Sequence, residues 1–318
     1  MRDLSLEFET ETGTAKVLDR VTFTIDEGEV FGLVGETGCG KTVTALTILR
    51  LLPSNAKIRT GHVTFMGEEL LSKTDAEMER LRGTKISMVF QDPATSLNPV
   101  FSVGEQITRV VRTHEDVDKE AAEARAVGLF ERVGLPDPET VLRSYPHELS
   151  GGMQQRVMIS MALACRPKLL IADEPTTAVD VTIQAQILDL LMELQREFRL
   201  SVLLITHNLG IVAETCQRVG VMYAGALAEV APTKDLFREP LHPYTQRLLK
   251  SLPRPDARGQ PLASIPGNVP SLVDPPTGCR YHPRCEFAMK SCSVRRPALL
   301  EHRPGHRAAC LLYEGVTE

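Results

Sequence analysis

The run GETGCGKT, Gly35 to Thr42, constrains this chain more than any other feature, because it dictates a strand, a turn and a helix in that order. It follows the apolar stretch Val30 to Val34 and opens a segment carrying Leu46, Leu49 and Leu52 at helical spacing. Glycines at 35, 38 and 40 let the backbone curl so that successive amide N–H groups face one anion, and the helix N-terminus adds the positive end of its dipole. The run is a P-loop. Lys41 is expected on the β and γ phosphates of a nucleotide and the Thr42 hydroxyl on magnesium, with Glu36, Thr37, Cys39 and Thr44 completing the nucleotide-binding stretch.

A P-loop calls for an α/β fold, and the remaining pattern agrees. Leu169 to Ala172 and Val202 to Ile205 are, like Val30 to Val34, continuously apolar, as strands buried on both faces are. They predict a parallel central sheet with its ligands gathered beyond the carboxyl ends of the strands. Residues 1–30 alternate (Leu4, Leu6, Phe8; Val21, Phe23, Ile25), which predicts an antiparallel layer. From about 100 to 165 the spacing is helical, including Asp118 to Arg132 and the stripe Met153, Val157, Met161 and Ala164. Arg218 to Val230 alternates around Ala224 and Gly225 as a hairpin would. Proline rises from Pro232, notably in SLPRPDARGQP and PSLVDPPTG, which reads as a linker to a small cysteine-bearing tail.

Charge and hydropathy narrow the partners. With 36 basic against 41 acidic residues the net charge is -5, so no cationic surplus is available to hold nucleic acid by counterion release. No apolar run approaches the roughly 18 to 20 residues of a membrane span, and MRDLSLEFE has no signal-peptide pattern. The chain reads as cytosolic, meeting a membrane only through a partner.

Three further groups bear on a phosphate site. In LLIADEP, Asp173 and Glu174 end a buried strand, where one carboxylate can hold magnesium and the next can act as general base on water. Gln91 follows a short strand in MVFQDP, and its amide can contact both magnesium and water. His207 follows SVLLIT at another strand end. The last element is LSGGMQQR, Leu149 to Arg156, where Ser150, Gly151 and Gly152 precede an amphipathic segment with Gln154 in its first turn. It makes a second anion-facing helix start.

In this order the P-loop, Gln91, LSGGMQQR, Asp173-Glu174, Asp180 and His207 resemble the ATPases of ABC transporters, over residues 1–250. The resemblance implies a P-loop ABC ATPase domain at 1–250, with parallel core sheet, antiparallel β layer and a helical subdomain at about 92–165, plus a C-terminal extension at 251–318. It implies two such domains head to tail, each ATP held between the P-loop of one and Ser150, Gly151 and Gly152 of the other, with Asp180 at the junction. Glu174 would be the general base, assisted by His207 and Gln91, and Thr42, Gln91 and Asp173 would hold Mg2+. The sequence departs from the family where an aromatic residue stacks on adenine: TGTAKVLD has none, leaving Phe8 or a less specific contact. Thr37 and Cys39 stand where serines are frequent, and Val179 replaces leucine. Two readings of Cys39 stay open: a thiol made acidic by Lys41 and the helix start, or an inert small residue.

FQDPATSLNP (90–99), the stretch 147–186, HPYTQRLLKSLP (242–253), IPGNVPS and GCRYHPRC resemble the importers of dipeptides, oligopeptides and nickel. That branch implies pairing with a second, different ATPase beneath two permease subunits, on the cytoplasmic side of the membrane, and substrate supplied by an external binding protein. Nickel, glutathione or another small solute are the alternative cargoes. A soluble ABC ATPase of DNA maintenance is disfavoured by the acidic charge and the absence of a heptad run. Cys279, Cys285, Cys292 and Cys310 crowd the tail, and resemblance to cluster-bearing importer ATPases implies a 4Fe-4S cluster, with zinc, ligation by His282, His302 or His306, and free thiols as alternatives.

Overall fold

In the computed structural model residues 1–176, 180–252 and 265–314 are described, and they form two compact units. Val179 and the stretch 253–261 of the proline-rich segment lie outside the described residues.

The first unit comprises residues 1–24, 30–72 and the chain from 205 onward. Arg2–Thr10 pairs antiparallel with Gly13–Val21 on one side and with Ala56–His62 on the other, so the alternating N-terminal pattern does build an antiparallel layer. Its third strand is largely polar and exposed, which is why hydrophobic alternation did not reveal it. Val30–Val34, fully buried, pairs in parallel with Arg218–Tyr223. Arg218–Tyr223 turns back antiparallel into Ala226–Pro232. Ala224 and Gly225 make that turn with φ of 45° and 85°, both in the left-handed region that tight hairpins require.

The sheet continues beyond Ala226–Pro232 into the tail: His306–Ala308 and then Leu300–Arg303 add antiparallel strands. The C-terminal segment is therefore built into the first unit's sheet. Pro232 does not start a linker, since helices Thr233–Arg238 and Pro243–Lys250 follow it, the second capped by His242 with Pro243 at its first turn.

The second unit comprises residues 25–29 and 73–204. Ile86–Val89 pairs in parallel with Leu169–Asp173, and Ser201–Ile205 is the next strand. The helices include Val103–His114, Lys119–Arg132, Pro138–Arg143 and Gly151–Leu163. Ser102 and Glu105 close a capping box on the first of these. Gly151–Leu163 is buried on most of its circumference, including Gln155 and Ser160, and not along a single stripe. Among the described residues no helix is long and apolar enough to cross a membrane.

Candidate functional site

In the first unit the phosphate loop joins the strand Val30–Val34 to the helix Lys41–Leu49. Gly35 has φ of 152°, and a Cβ there would lie 2.2 Å from the Met222 carbonyl oxygen, so only glycine fits. Gly40, at φ of 104°, caps the helix against Leu18. Lys41 is buried, and its Nζ donates to the carbonyls of Gly35 (2.9 Å) and Glu36 (3.2 Å), lying along the loop. Thr37, Gly38 and Thr42 are exposed at the open face. Thr44 is different: it is fully buried and its hydroxyl donates to Gly40 O at 2.9 Å, so it supports the loop from beneath. His207 is exposed just past the strand Ser201–Ile205. Phe8 is half-buried in the antiparallel layer, its neighbours across the strands being Ala15 and Ala56.

Cys39 is fully buried, and burial pushes its thiol up, outweighing the nearby Lys41 ammonium. The inert reading is the one the structure favours. In the native protein a maleimide is expected to leave Cys39 unlabelled with and without ATP, and to label it only after denaturation, as peptide mass spectrometry would record. Native labelling that ATP prevents would reverse this.

Two residues that sequence reasoning missed hold the loop's Glu36. The Glu36 amide donates to the Tyr244 hydroxyl at 3.1 Å. Its carboxylate accepts both Nη atoms of Arg284, at 2.8 and 3.2 Å, from a side chain only 5% exposed. Arg284 is held in turn by the carbonyls of Ile265 and Pro266 and by the Tyr223 hydroxyl. These contacts span 208 and 248 positions, so no local pattern could have announced them.

In the second unit Asp173 is 3% exposed at the end of its strand, and Glu174 follows with φ of 45°. A non-glycine residue held there is strained, a state that clusters at functional positions. Gln91 donates its amide to Glu174 Oε2 at 3.1 Å, so two of the expected site residues are in direct contact. Ser150 caps the helix Gly151–Leu163 by accepting from the Met153 amide, while Gly151 is exposed and Gly152 half-buried. Gln154 does not point away from the chain: its amide donates to Pro146 O (2.8 Å) and Leu149 O (3.1 Å), which fixes the turn leading into the helix. Asp180 is exposed and precedes the helix Val181–Phe198 without a side-chain cap.

The tail is fastened by charge and strand pairing. Glu229, fully buried, accepts from the amides of Leu241 and His242 (2.8 Å each) and pairs with His306 Nε2 at 2.6 Å. His242 is kept neutral, its pKa lowered to about 4 by burial. Tyr223, Tyr244 and Tyr281 pack together with centroids 4.7 to 5.4 Å apart.

Comparison with known proteins agrees with this geometry. The family described as ABC transporter matches residues 18–177, and that described as oligopeptide/dipeptide transporter, C-terminal region, matches 228–292. A probable peptide ABC transporter ATP-binding protein of Sinorhizobium fredii is 52% identical over 98% of this chain and 93% of its own. The oligopeptide transport ATP-binding protein AppD of Bacillus subtilis is 50% identical over 93% of this chain and 91% of its own. OppD of Escherichia coli is 47% identical over 98% and 91%. A dimeric ABC cassette solved in a post-hydrolysis state with ADP and Pi superposes with a TM-score of 0.66 at 26% identity, covering 73% of this chain and 97% of that one.

The iron–sulfur expectation is corrected by the same observations. Among the described residues no group of three or more His, Cys, Asp or Glu side chains is arranged to hold a metal ion, and these relatives are named as ATP-binding proteins, not as iron–sulfur proteins. Burial pushes the thiols of Cys279 and Cys310 up, to about 11 and about 12, and that of Cys285 upward as well. The candidate histidines are engaged elsewhere: His282 with Cys279 O, His302 with Ala308 O, and His306 with Glu229. Strand pairing of His306–Ala308 with Ala226–Pro232, the Arg284–Glu36 ion pair and the His306–Glu229 hydrogen bond fasten this segment to the first unit. Carrying a P-loop, a serine-capped glycine helix start and both sequence matches, the chain is an ATP-binding, ATP-hydrolysing member of the ABC transporter family, in the branch of peptide transporter ATPases.

Proposed function

We propose that this ATPase energises the import of dipeptides or oligopeptides, working from the cytoplasmic side of a membrane as a peripheral subunit. The observation that carries the reading is the serine-capped start of Gly151–Leu163, a second anion-facing helix N-terminus in a chain that already has a P-loop. A chain with one of each can pair head to tail, so that ATP joins the pair and hydrolysis releases it. The names of the relatives above support peptides as cargo.

In this reading Lys41 and the loop amides bind the β and γ phosphates, Glu174 takes the proton of the attacking water, and His207 and Gln91 orient the groups around it. Ser150, Gly151 and Gly152 face the nucleotide of the partner ATPase, and Asp180 lies at the junction of the pair. Thr42, Asp173 and Gln91 offer hydroxyl, carboxylate and amide oxygens, the hard donors that magnesium takes. That ion, when bound, neutralises charge on the phosphates. Gln154 and Thr44 act as supports, Gln154 holding the turn before the signature helix and Thr44 holding Gly40.

The partners are two permease subunits, a second and different ATPase, and an external binding protein. Co-expression with the permeases should give a complex that copurifies and whose ATP hydrolysis rises severalfold when peptide-loaded binding protein is added. Stimulation by nickel or glutathione carriers, and none by peptide, would transfer the cargo. Failure to copurify with any permease would overturn the reading.

A further inference from the structure

A cavity of about 260 Å³ lies in the first unit between the antiparallel layer and the tail. Its charged lining is Arg20, Arg280, Arg296 and Arg307 against Asp3 and Asp19, a surplus of two positive charges from four minus two. Among the described residues one carboxylate oxygen is shared between them in ion pairs: Asp19 Oδ2 meets Arg280 Nη2 at 3.0 Å and also Arg296 Nη1. Arg280 is 7% exposed in its side chain, so a buried guanidinium has half a counterion. Burial lowers its pKa, the direction expected of an under-compensated cation. Among the described residues neither Arg20 nor Arg307 has an ion-pair partner, although both line the same cavity.

We propose that this cavity binds a small organic phosphomonoester as an effector of the ATPase. A dianion neutralises the surplus, and guanidinium groups are the donors best matched to phosphoryl oxygens. The remaining lining supplies a place for an organic portion: Tyr223 and Tyr281, edge to face at 5.1 Å, with Leu227 and Leu299. The volume sits below the usual range of about 300 to 1,000 Å³ for drug-sized ligands, which selects a compound of a few carbons over a nucleotide.

The cavity and the phosphate loop share one turn. Arg280 Nη1 donates to Ala224 O, and the next residue, Gly225, donates its amide to Cys39 O at 2.9 Å inside the loop. A ligand that repositions Arg280 therefore bears on the loop through a single peptide. By linkage, the effect on nucleotide affinity and the effect of nucleotide on the ligand are equal.

The test is isothermal titration of the full chain with glycerol 3-phosphate, the P-loop being saturated with a non-hydrolysable ATP analogue so that phosphate cannot enter there. One saturable site is expected. The Arg20→Ala/Arg307→Ala double variant, which removes only partly or fully exposed side chains without ion pairs, should weaken it by at least about tenfold, the loss of one charge-assisted contact or more. Affinity for the analogue should change by at least about threefold when the ester is saturating. Binding that disappears when the analogue fills the P-loop, or that the double variant leaves unchanged, overturns the site. Equal or tighter binding of inorganic phosphate overturns the organic ester, tighter binding of succinate overturns the phosphoryl group, and an unchanged analogue affinity overturns the effector role.

Discussion

Glu174→Gln is expected to lower the rate of ATP hydrolysis by about 100-fold or more, within the usual worth of a general base, while ATP still binds. The substitution keeps the length of the side chain and its ability to accept the Gln91 amide, a 3.1 Å contact in the native protein, but removes the atom that can take a proton. Glu174 is committed to this position by a backbone at φ 45°, and glutamine can occupy that conformation at similar cost. Single-turnover hydrolysis measures the loss, and gel filtration with ATP should show the paired form persisting. A variant that hydrolyses at the native rate would remove Glu174 from the role of base. Gln91→Ala, which leaves the carboxylate but deletes its partner, should have a smaller effect on rate.

The second large effect is expected from Arg284→Ala. The arginine makes both ends of a bidentate pair with Glu36 and donates to the Ile265 and Pro266 carbonyls and the Tyr223 hydroxyl, all from a side chain 5% exposed. Its removal strands the Glu36 carboxylate, itself 26% exposed, and three neutral acceptors. Breaking a pair of this kind costs about 3 kcal/mol, less than for a fully buried pair because water reaches Glu36. The melting midpoint should fall by about 4 to 5 °C. Because Glu36 is a member of the phosphate loop, KM for ATP should also rise, by about tenfold, as the loop loses its preorganisation. A double-mutant cycle with Glu36→Gln separates this from general damage: the KM effect of Arg284→Ala should largely vanish when Glu36 is already neutral. Native KM in the Arg284→Ala protein would show that the tail does not hold the loop.

What was legible in the sequence was short-range. The phosphate loop is a run of eight residues whose glycines determine where the amides point, so Gly35, Gly38 and Gly40 could be read directly. The same is true of Ser150 capping Gly151–Leu163, of the turn at Ala224 and Gly225, and of two acids ending a buried strand. In each case the backbone within a few residues decides the geometry. The polar strand Ala56–His62 escaped because its pairing with Arg2–Thr10, not its own pattern, makes it a strand.

The sequence by itself determined the ATPase: its loop, its second helix start, its acid pair and its class of sheet. Only the tertiary structure decided what the tail does and how the thiols behave. Crowded cysteines in sequence suggested ligands, yet spacing along a chain says nothing of how side chains are arranged in space or how deeply each thiol is buried, and among the described residues no group is arranged to hold a metal ion. Cys39 teaches the same lesson, since a lysine two residues away was visible and the burial that outweighs it was not. Arg284 with Glu36, Glu229 with His306 and Arg280 with Asp19 join positions 248, 77 and 261 apart, the last being 280 minus 19. Such pairs exist only because the packed core brings distant charges together and excludes the water that would otherwise screen them, which local backbone chemistry cannot encode.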